Sequence, residues 1–209
     1  MIALFCMTID HFAVALIQPS ITTFLVKDSV GFQLAYVLYW VMRCIGRVAF
    51  PIYCFFIYEG YKHTRSKIKY SGRLLLLAII SEIPFNLVLS HKVFSFQYQN
   101  IFWTLLLGLI IIWEIDELNK KTWNKSFVTL SEILIIASGI ILGEVFNTDY
   151  GGNGVLAIVI IWLVNNDKIL VATVSHIIMI IVTLVFSPVI SMELVLMNMV
   201  MTIIFVMIV

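Results

Sequence analysis

This chain is predicted to fold as an all-α, polytopic transmembrane bundle of about eight spans, and three observations predict it. The 209 residues are 62% hydrophobic and only 12% charged, about half the charge of a typical soluble domain at roughly 25%. The apolar stretches are long and continuous rather than alternating every second residue, which favours helices over a barrel. Four ionisable residues sit deep inside the first two of these stretches: Asp10 and His11 in one, Arg43 and Arg47 in the next. The whole of 1–209 reads as a single integral membrane domain.

The runs follow in order. Run one covers about Ile2 to Ile17, with Pro19 just beyond it. Asp10-His11 splits it and no basic segment precedes it, so it does not read as a signal peptide. Run two, about Gln33 to Tyr61, is too long for one straight crossing of a core that needs about 20 helical residues. Pro51 near its middle predicts a kink or a break. Run three spans about Leu74 to Leu89, run four Ile101 to Ile115 and run five Phe127 to Phe146. Run six, about Val155 to Val164, is short and follows Tyr150-Gly151-Gly152-Asn153-Gly154, which suggests a partial or re-entrant span. Runs seven (Ile169 to Phe186) and eight (Leu194 to Val209) complete the count.

Lysine and arginine set the expected orientation. Nine of the thirteen lie on one side of the alternating runs: five between Lys62 and Arg73, then Lys120, Lys121, Lys125 and Lys168. Lys27 and Lys92 lie on the other side. The basic side is therefore expected to be cytoplasmic, with the N-terminus on it, in a multi-pass protein of the cell membrane. The lipid bilayer is one expected partner. No nucleic-acid patch, internal repeat, phosphate-loop pattern or paired His/Cys spacing for a metal is present, and Cys6, Cys44 and Cys54 sit in apolar runs as small hydrophobes.

A charge near the centre of a bilayer costs a few kcal/mol on insertion scales, so such residues are kept where they pair or line a cavity. Asp10 and His11 lie midway along run one. Arg43 and Arg47 are four apart and share a helix face. Glu82 reaches a similar depth in run three, with Asn86 four residues on and Pro84 between them, and Glu59 lies near the inner end of run two. These residues are expected to form a paired network around a cavity. His11, with an ordinary pKa of about 6.5, suits a general base; its alternative is a plain hydrogen bond to a neighbouring helix. The arginines suit an oxyanion or an anionic ligand; their alternative is to act as counter-ions to Asp10 and Glu82. The basic segment Lys62-His63-Thr64-Arg65-Ser66-Lys67-Ile68-Lys69 suits a phosphate-rich ligand, or serves topology and anionic lipid alone.

Ile9-Asp10-His11, Arg43-Cys44-Ile45-Gly46-Arg47 through Pro51 to Glu59-Gly60, His63-Thr64-Arg65, Lys69-Tyr70 and Arg73-Leu74 together resemble the TraX family. So do Ser81-Glu82-Ile83-Pro84-Phe85, Gln99-Asn100 with Thr104 to Gly108, and Asp149-Tyr150-Gly151 with Gly154-Val155-Leu156. The family is named for a conjugation-system membrane protein needed for N-terminal acetylation of F-type pilin, and is similar to multi-helix membrane acyltransferases that use cytosolic acyl-CoA. The resemblance implies an acetyltransferase with acetyl-CoA as co-substrate and an amine or hydroxyl of a protein, peptide or glycan as acceptor. His11, Asp10, Arg43 and Arg47 would then be the catalytic set, supported by Glu59, Glu82, Asn86 and Asn100. Lys62, His63, Arg65, Lys69 and Arg73 would hold the cofactor, with no metal. Family members continue into a further basic turn and an aromatic-rich helix, so the chain is expected to be short or truncated at its C-terminal end. The rival expectations are a permease for a small anion or proton-coupled solute and a non-catalytic membrane scaffold.

Overall fold

The computed structural model describes residues 1–24, 26, 27 and 29–164. Among them no strand forms, and the helices run α1 (Ile2–Phe12), a π-helical turn (Ala13–Ile17), α2 (Gln18–Phe24), α3 (Val30–Arg47), α4 (Ala49–His63), α5 (Lys67–Ser90), α6 (Ile101–Asn119), α7 (Lys125–Val145) and α8 (Gly151–Val164). Runs one to six therefore become helices; runs seven and eight lie outside the described residues. Four stretches are long and apolar enough to cross a membrane: Ile2–Phe24, Val30–His63, Lys67–Ser90 and Lys125–Val145. Four of the six runs within the described residues thus reach spanning length, and two do not, for physical reasons. Helix α6 carries Glu114, Asp116 and Glu117 in its last turns, and α8 has 14 residues, about 21 Å of helix against a core of ~30 Å.

Two prolines shape the N-terminal part. Pro19 has no N–H to give and its ring crowds the turn before it. That turn widens, and the N–H of Gln18 returns to the carbonyl of Ala13, five residues back. Ser20 and Thr22 hydroxyls take up the carbonyls of Leu16 and Gln18 at 2.7 and 3.2 Å. The second run is broken, as its length predicted, but at Val48 rather than at Pro51. Val48 bonds back only three residues, to Ile45. Pro51 sits in the first turn of α4, where a missing N–H is tolerated.

The described chain divides into two compact units, Met1–Tyr53 and Cys54–Val164. In the first, α1 packs along α3, and the buried positions of the two helices are small: Ala3, Cys6, Cys44 and Gly46. Small side chains let backbones approach closely, the usual route to helix association in lipid. In the second unit α6 is central and touches α5, α7 and α8. Leu105, Leu109, Ile112 and Ile115 of α6 are buried together with Val155, Ile158, Val159 and Ile161 of α8. Glycines set this spacing: Gly108 leaves room for Ile158, and a Cβ on Gly143 would come within 2.8 Å of the Gly151 and Gly152 backbone. The opposite faces of α5 and α7 expose Leu76, Ile80, Leu130 and Leu134, as suits a surface whose solvent is lipid.

The loops after α5 and α7 are stitched together. Gln99 and Thr148 form a parallel bridge, in which the Gln99 N–H donates to the Asn147 carbonyl at 3.0 Å and the Asp149 N–H donates to the Gln99 carbonyl at 2.9 Å. The Glu144 carboxylate accepts from the Gly152 N–H at 2.8 Å, capping the start of α8.

Gly143→Val should lower the melting temperature in detergent through a clash worth about 1–3 kcal/mol. Gly72→Ala, where a Cβ meets nothing within 4 Å, should raise it slightly by up to about 1 kcal/mol. Thermal unfolding of the two variants beside the parent checks both signs.

Candidate functional site

The first unit carries the buried charges of runs one and two. An Arg43 Nη1–H donates to Asp10 Oδ2 at 2.6 Å, with side chains 23% and 16% exposed. Gly46 makes this possible, because any side chain there would overlap the Asp10 carboxyl. Arg47, one turn further along α3, is half-buried and engaged in contacts of its own. His11 is the exposed member, its side chain 55% accessible. Its Nδ1 lies 2.9 Å from the carbonyl of Met7, one turn earlier in the same helix, and 4.0 Å from Asp10 Oδ2. A carbonyl only accepts, so in the neutral ring Nδ1 carries the proton and Nε2 presents its lone pair. The Met7 carbonyl thus favours the Nδ1–H tautomer, and Asp10 is left to the guanidinium. The wide turn Ala13–Ile17 follows directly; such turns occur often beside functional residues.

In the second unit the expected supporting residues separate into two places. Glu82 was expected to face an arginine. Among the described residues its Oε2 instead accepts from the Asn100 N–H at 3.3 Å, from the Asn100 side-chain amide, and from the Trp103 indole N–H at 3.1 Å. Asn100 also donates to the Ala78 carbonyl at 2.8 Å and, as the N-cap of α6, accepts from the Phe102 N–H at 3.0 Å. Neutral donors therefore do here what a guanidinium was expected to do. Asn86 is buried at 2% exposure. Glu59, at the far end of α4, lies 3.2 Å from His63 Nε2.

The basic segment is a three-residue link, Thr64 to Ser66, between α4 and α5. Ser66 caps α5 by accepting from the Lys69 N–H at 3.3 Å. Lys62 lies over the Tyr58 ring and Arg73 over the Tyr70 ring, each at 5.9 Å. Among the described residues Lys62, Arg65, Lys69 and Arg73 have no carboxylate partner. Lys67 differs. Its ammonium contacts the Tyr61 hydroxyl, Asp116 at 2.9 Å and Glu117 at 3.5 Å, and Lys120 joins the same carboxylates at 2.9 and 2.8 Å. Tyr61 completes the cluster with a 2.6 Å hydrogen bond to Asp116. Burial pushes the Asp116 carboxyl up, but the hydrogen bonds from Tyr61, Lys67 and Lys120 outweigh it and hold the group well below the usual carboxylate range. This cluster ties the ends of α4, α5 and α6, and the sequence reading missed it. Its visible signal was the spacing of Asp116 and Glu117 ahead of Lys120 on one helix face. Among the described residues no three His, Cys, Asp or Glu side chains converge as metal ligands.

A family model described as TraX protein matches residues 1–208. The chain belongs to the TraX family. It is also similar to a probable fimbrial assembly protein, FimC of serogroup H1, from Dichelobacter nodosus. The two are 36% identical over 81 residues, which cover 35% of this chain and 33% of that protein. The match thus spans about a third of the relative's length. No solved structure matches the chain. Family and helices together make it a membrane protein.

Breaking the α1–α3 pair from one side should be costly. Arg43→Gln or Asp10→Asn alone should each destabilise the TraX-family chain by about 3 kcal/mol, the double variant by clearly less than the sum. A double-mutant cycle on unfolding in detergent measures the difference; additive losses would show no coupling. The Asp116 cluster gives a pH signature. With its carboxyl held below the ordinary value of 3.8, its stabilisation is complete above that pH and is lost as pH falls through the folded value. Melting temperatures below pH 4 should fall more steeply in the parent than in Asp116→Asn.

Proposed function

We propose that the protein is an integral membrane acetyltransferase. It would move the acetyl group of cytosolic acetyl-CoA to an amine or hydroxyl, the pilin N-terminus being the acceptor implied for the family's name-giving member. The observation that carries the reading is His11: an exposed imidazole with its tautomer set by the Met7 carbonyl, next in sequence to the carboxylate that holds Arg43. In this reading Nε2 accepts the proton of the acceptor N–H or O–H as that atom attacks the thioester carbonyl. Arg43 or Arg47 offers N–H donors to the oxygen on which negative charge develops. As the tetrahedral species collapses and the C–S bond breaks, the proton held by His11 passes to the departing thiolate. Asp10 keeps the Arg43 guanidinium in place and touches no reacting atom. Lys62, Arg65, Lys69 and Arg73, without carboxylate partners among the described residues, suit the phosphates of coenzyme A. In this reading the Thr64–Ser66 link and the N-terminus would be cytoplasmic, in keeping with the lysine and arginine bias of the sequence. The printed title of the relative, a fimbrial assembly protein, is compatible with a protein acceptor.

Membranes containing the protein, supplied with radiolabelled acetyl-CoA, should transfer label to a protein, peptide or glycan. His11→Ala should reduce that transfer about 100-fold or more, while Arg65→Ala should raise the KM for acetyl-CoA and leave kcat near its parent value. Equal labelling with and without His11 would remove it from the mechanism. CoA-independent solute flux into proteoliposomes would point to a permease instead.

A further inference from the structure

The link between α6 and α7 and the first turn of α7 carry a cation and two aromatic rings that have no part in the acetyl-transfer reading. The Lys121 ammonium lies 4.6 Å from the centre of the Trp123 ring. That indole meets the Phe127 ring edge to face, with centroids 5.1 Å apart. Yet the protein leaves the group uncovered: Trp123 is 48% and Phe127 51% exposed, and Lys121 is exposed beside them. An apolar patch rimmed by polar residues and turned outward marks an interaction surface. Its position says what covers it. Phe127, Leu130, Leu134 and Ile141 recur at helical spacing on one face of α7 and are all exposed, and α7 is long and apolar enough to cross a membrane. The rings therefore head a surface whose solvent is lipid. Lys120, one residue before Lys121, meets Asp116 together with Lys67 of α5, so this link stands at the same end of the second unit as Thr64–Ser66. Among the described residues Lys120 has carboxylate partners and Lys121 has none.

We propose that Lys121, Trp123 and Phe127 form a binding surface for one anionic phospholipid. Its phosphate meets the Lys121 ammonium, and its first acyl segment lies along the two rings toward Leu130. An ammonium over a ring face keeps N–H donors for an oxygen on its outer side, and a phosphate supplies a charged one. Indole rings settle at headgroup depth, with one apolar flank and one wet edge. The alternatives each leave something unmet. A free phosphate would engage the lysine and leave the rings bare. A zwitterionic lipid would cover the rings but bring its own cation beside the lysine. An anionic lipid answers both demands. Topology alone does not account for the arrangement, because the positive-side rule counts Lys121 and Lys125 alike. Lys125 lies two residues before Phe127, about 200° away around the helix, and so points off this face. It carries the same charge and serves as the internal control.

Trp123 reports on its own site. The chain has five tryptophans, so its signal is read as the difference between the parent and Trp123→Phe. The full chain in dodecyl maltoside micelles is titrated with phosphatidylglycerol or phosphatidylcholine brominated near the headgroup end of the acyl chains, where bromine quenches an indole it touches. Trp123-dependent quenching should need about fivefold less phosphatidylglycerol than phosphatidylcholine, the worth of one lysine near an anionic surface. Lys121→Gln should abolish that preference while both lipids still quench, and Lys125→Gln should keep it. Phe127→Ala should raise the amount needed of both lipids by a similar factor. All these positions are exposed, and a melting curve matching the parent shows that each variant is folded. Equal quenching by the two lipids, a preference that survives Lys121→Gln, or the same loss in Lys125→Gln would overturn the site. So would glycerophosphoglycerol, the headgroup without its chains, displacing the lipid mole for mole, since the rings would then contribute nothing and the ligand would be a free anion.

Discussion

A carboxylate and a guanidinium 2.6 Å apart between two apolar helices set the terms for the rest of the first unit. Neither charge is tolerable there alone, since removing one partner strands the other at a cost of several kcal/mol. The pair therefore dictates which residues stand around it. Gly46 must lack a side chain for Asp10 to seat against α3, and the buried neighbours stay small. Once Asp10 is committed to Arg43, the next residue turns roughly 100° away around the helix. His11 is left 4.0 Å from the Asp10 carboxylate and is oriented by its own backbone through Met7. The π-helical turn beginning at Ala13 comes from Pro19, so the histidine sits between a charge pair that anchors α1 and a local widening that ends its regular geometry.

The second unit meets the same constraint differently. Glu82 is held by neutral donors, the Asn100 amide and the Trp103 indole, which supply hydrogen bonds but no compensating charge. A guanidinium forks across both oxygens of a carboxylate, whereas these donors gather on one oxygen and leave the other bare. The helix around which this happens is held by close packing: α6 is buried by α5, α7 and α8, with glycines admitting its neighbours. Asn100 belongs to both systems, capping α6 and bonding to α5.

Much of this was legible in the residues because a membrane simplifies the code. Apolar runs of helical length become helices, and runs one to six did so. Excess length in run two forced a break. Its position was misjudged because Pro51 is harmless in a first turn, while the chain gave way at Val48 instead. The sharing of a face by Arg43 and its neighbours followed from spacing of four. That Arg43 rather than Arg47 takes Asp10 depends on Gly46, a packing fact that spacing does not contain. Matching Glu82 to an arginine assumed that equal depth means contact. Depth is one coordinate, and the donors that reach Glu82 come from the start of α6, whose register against α5 no one-dimensional pattern reveals. Among the described residues two runs fall short of spanning helices: α6 for its acidic end, which hydropathy passed over, and α8 for its shortness, which already marked run six as a partial or re-entrant span.

The basic segment shows how a charge count and a charge distribution differ. The topology rule counts lysines and arginines whatever their partners, so it treats Lys67 and Lys69 alike. The structure separates them. Lys67 is absorbed by Asp116, Glu117 and Tyr61, whereas Lys69 has no carboxylate partner among the described residues. Both stand in the first turn of α5, where the helix dipole is positive and disfavours cations. Helix stability alone would place acids there. Lys67 has its compensation in the end of α6. Lys69 has no such compensation and is exposed, whereas Lys62 stands in the last turn of α4, where the dipole favours a cation. The cluster at Asp116 therefore neutralises Lys67 and Lys120 and leaves the positive charge of Lys62, Arg65, Lys69 and Arg73 exposed around the link.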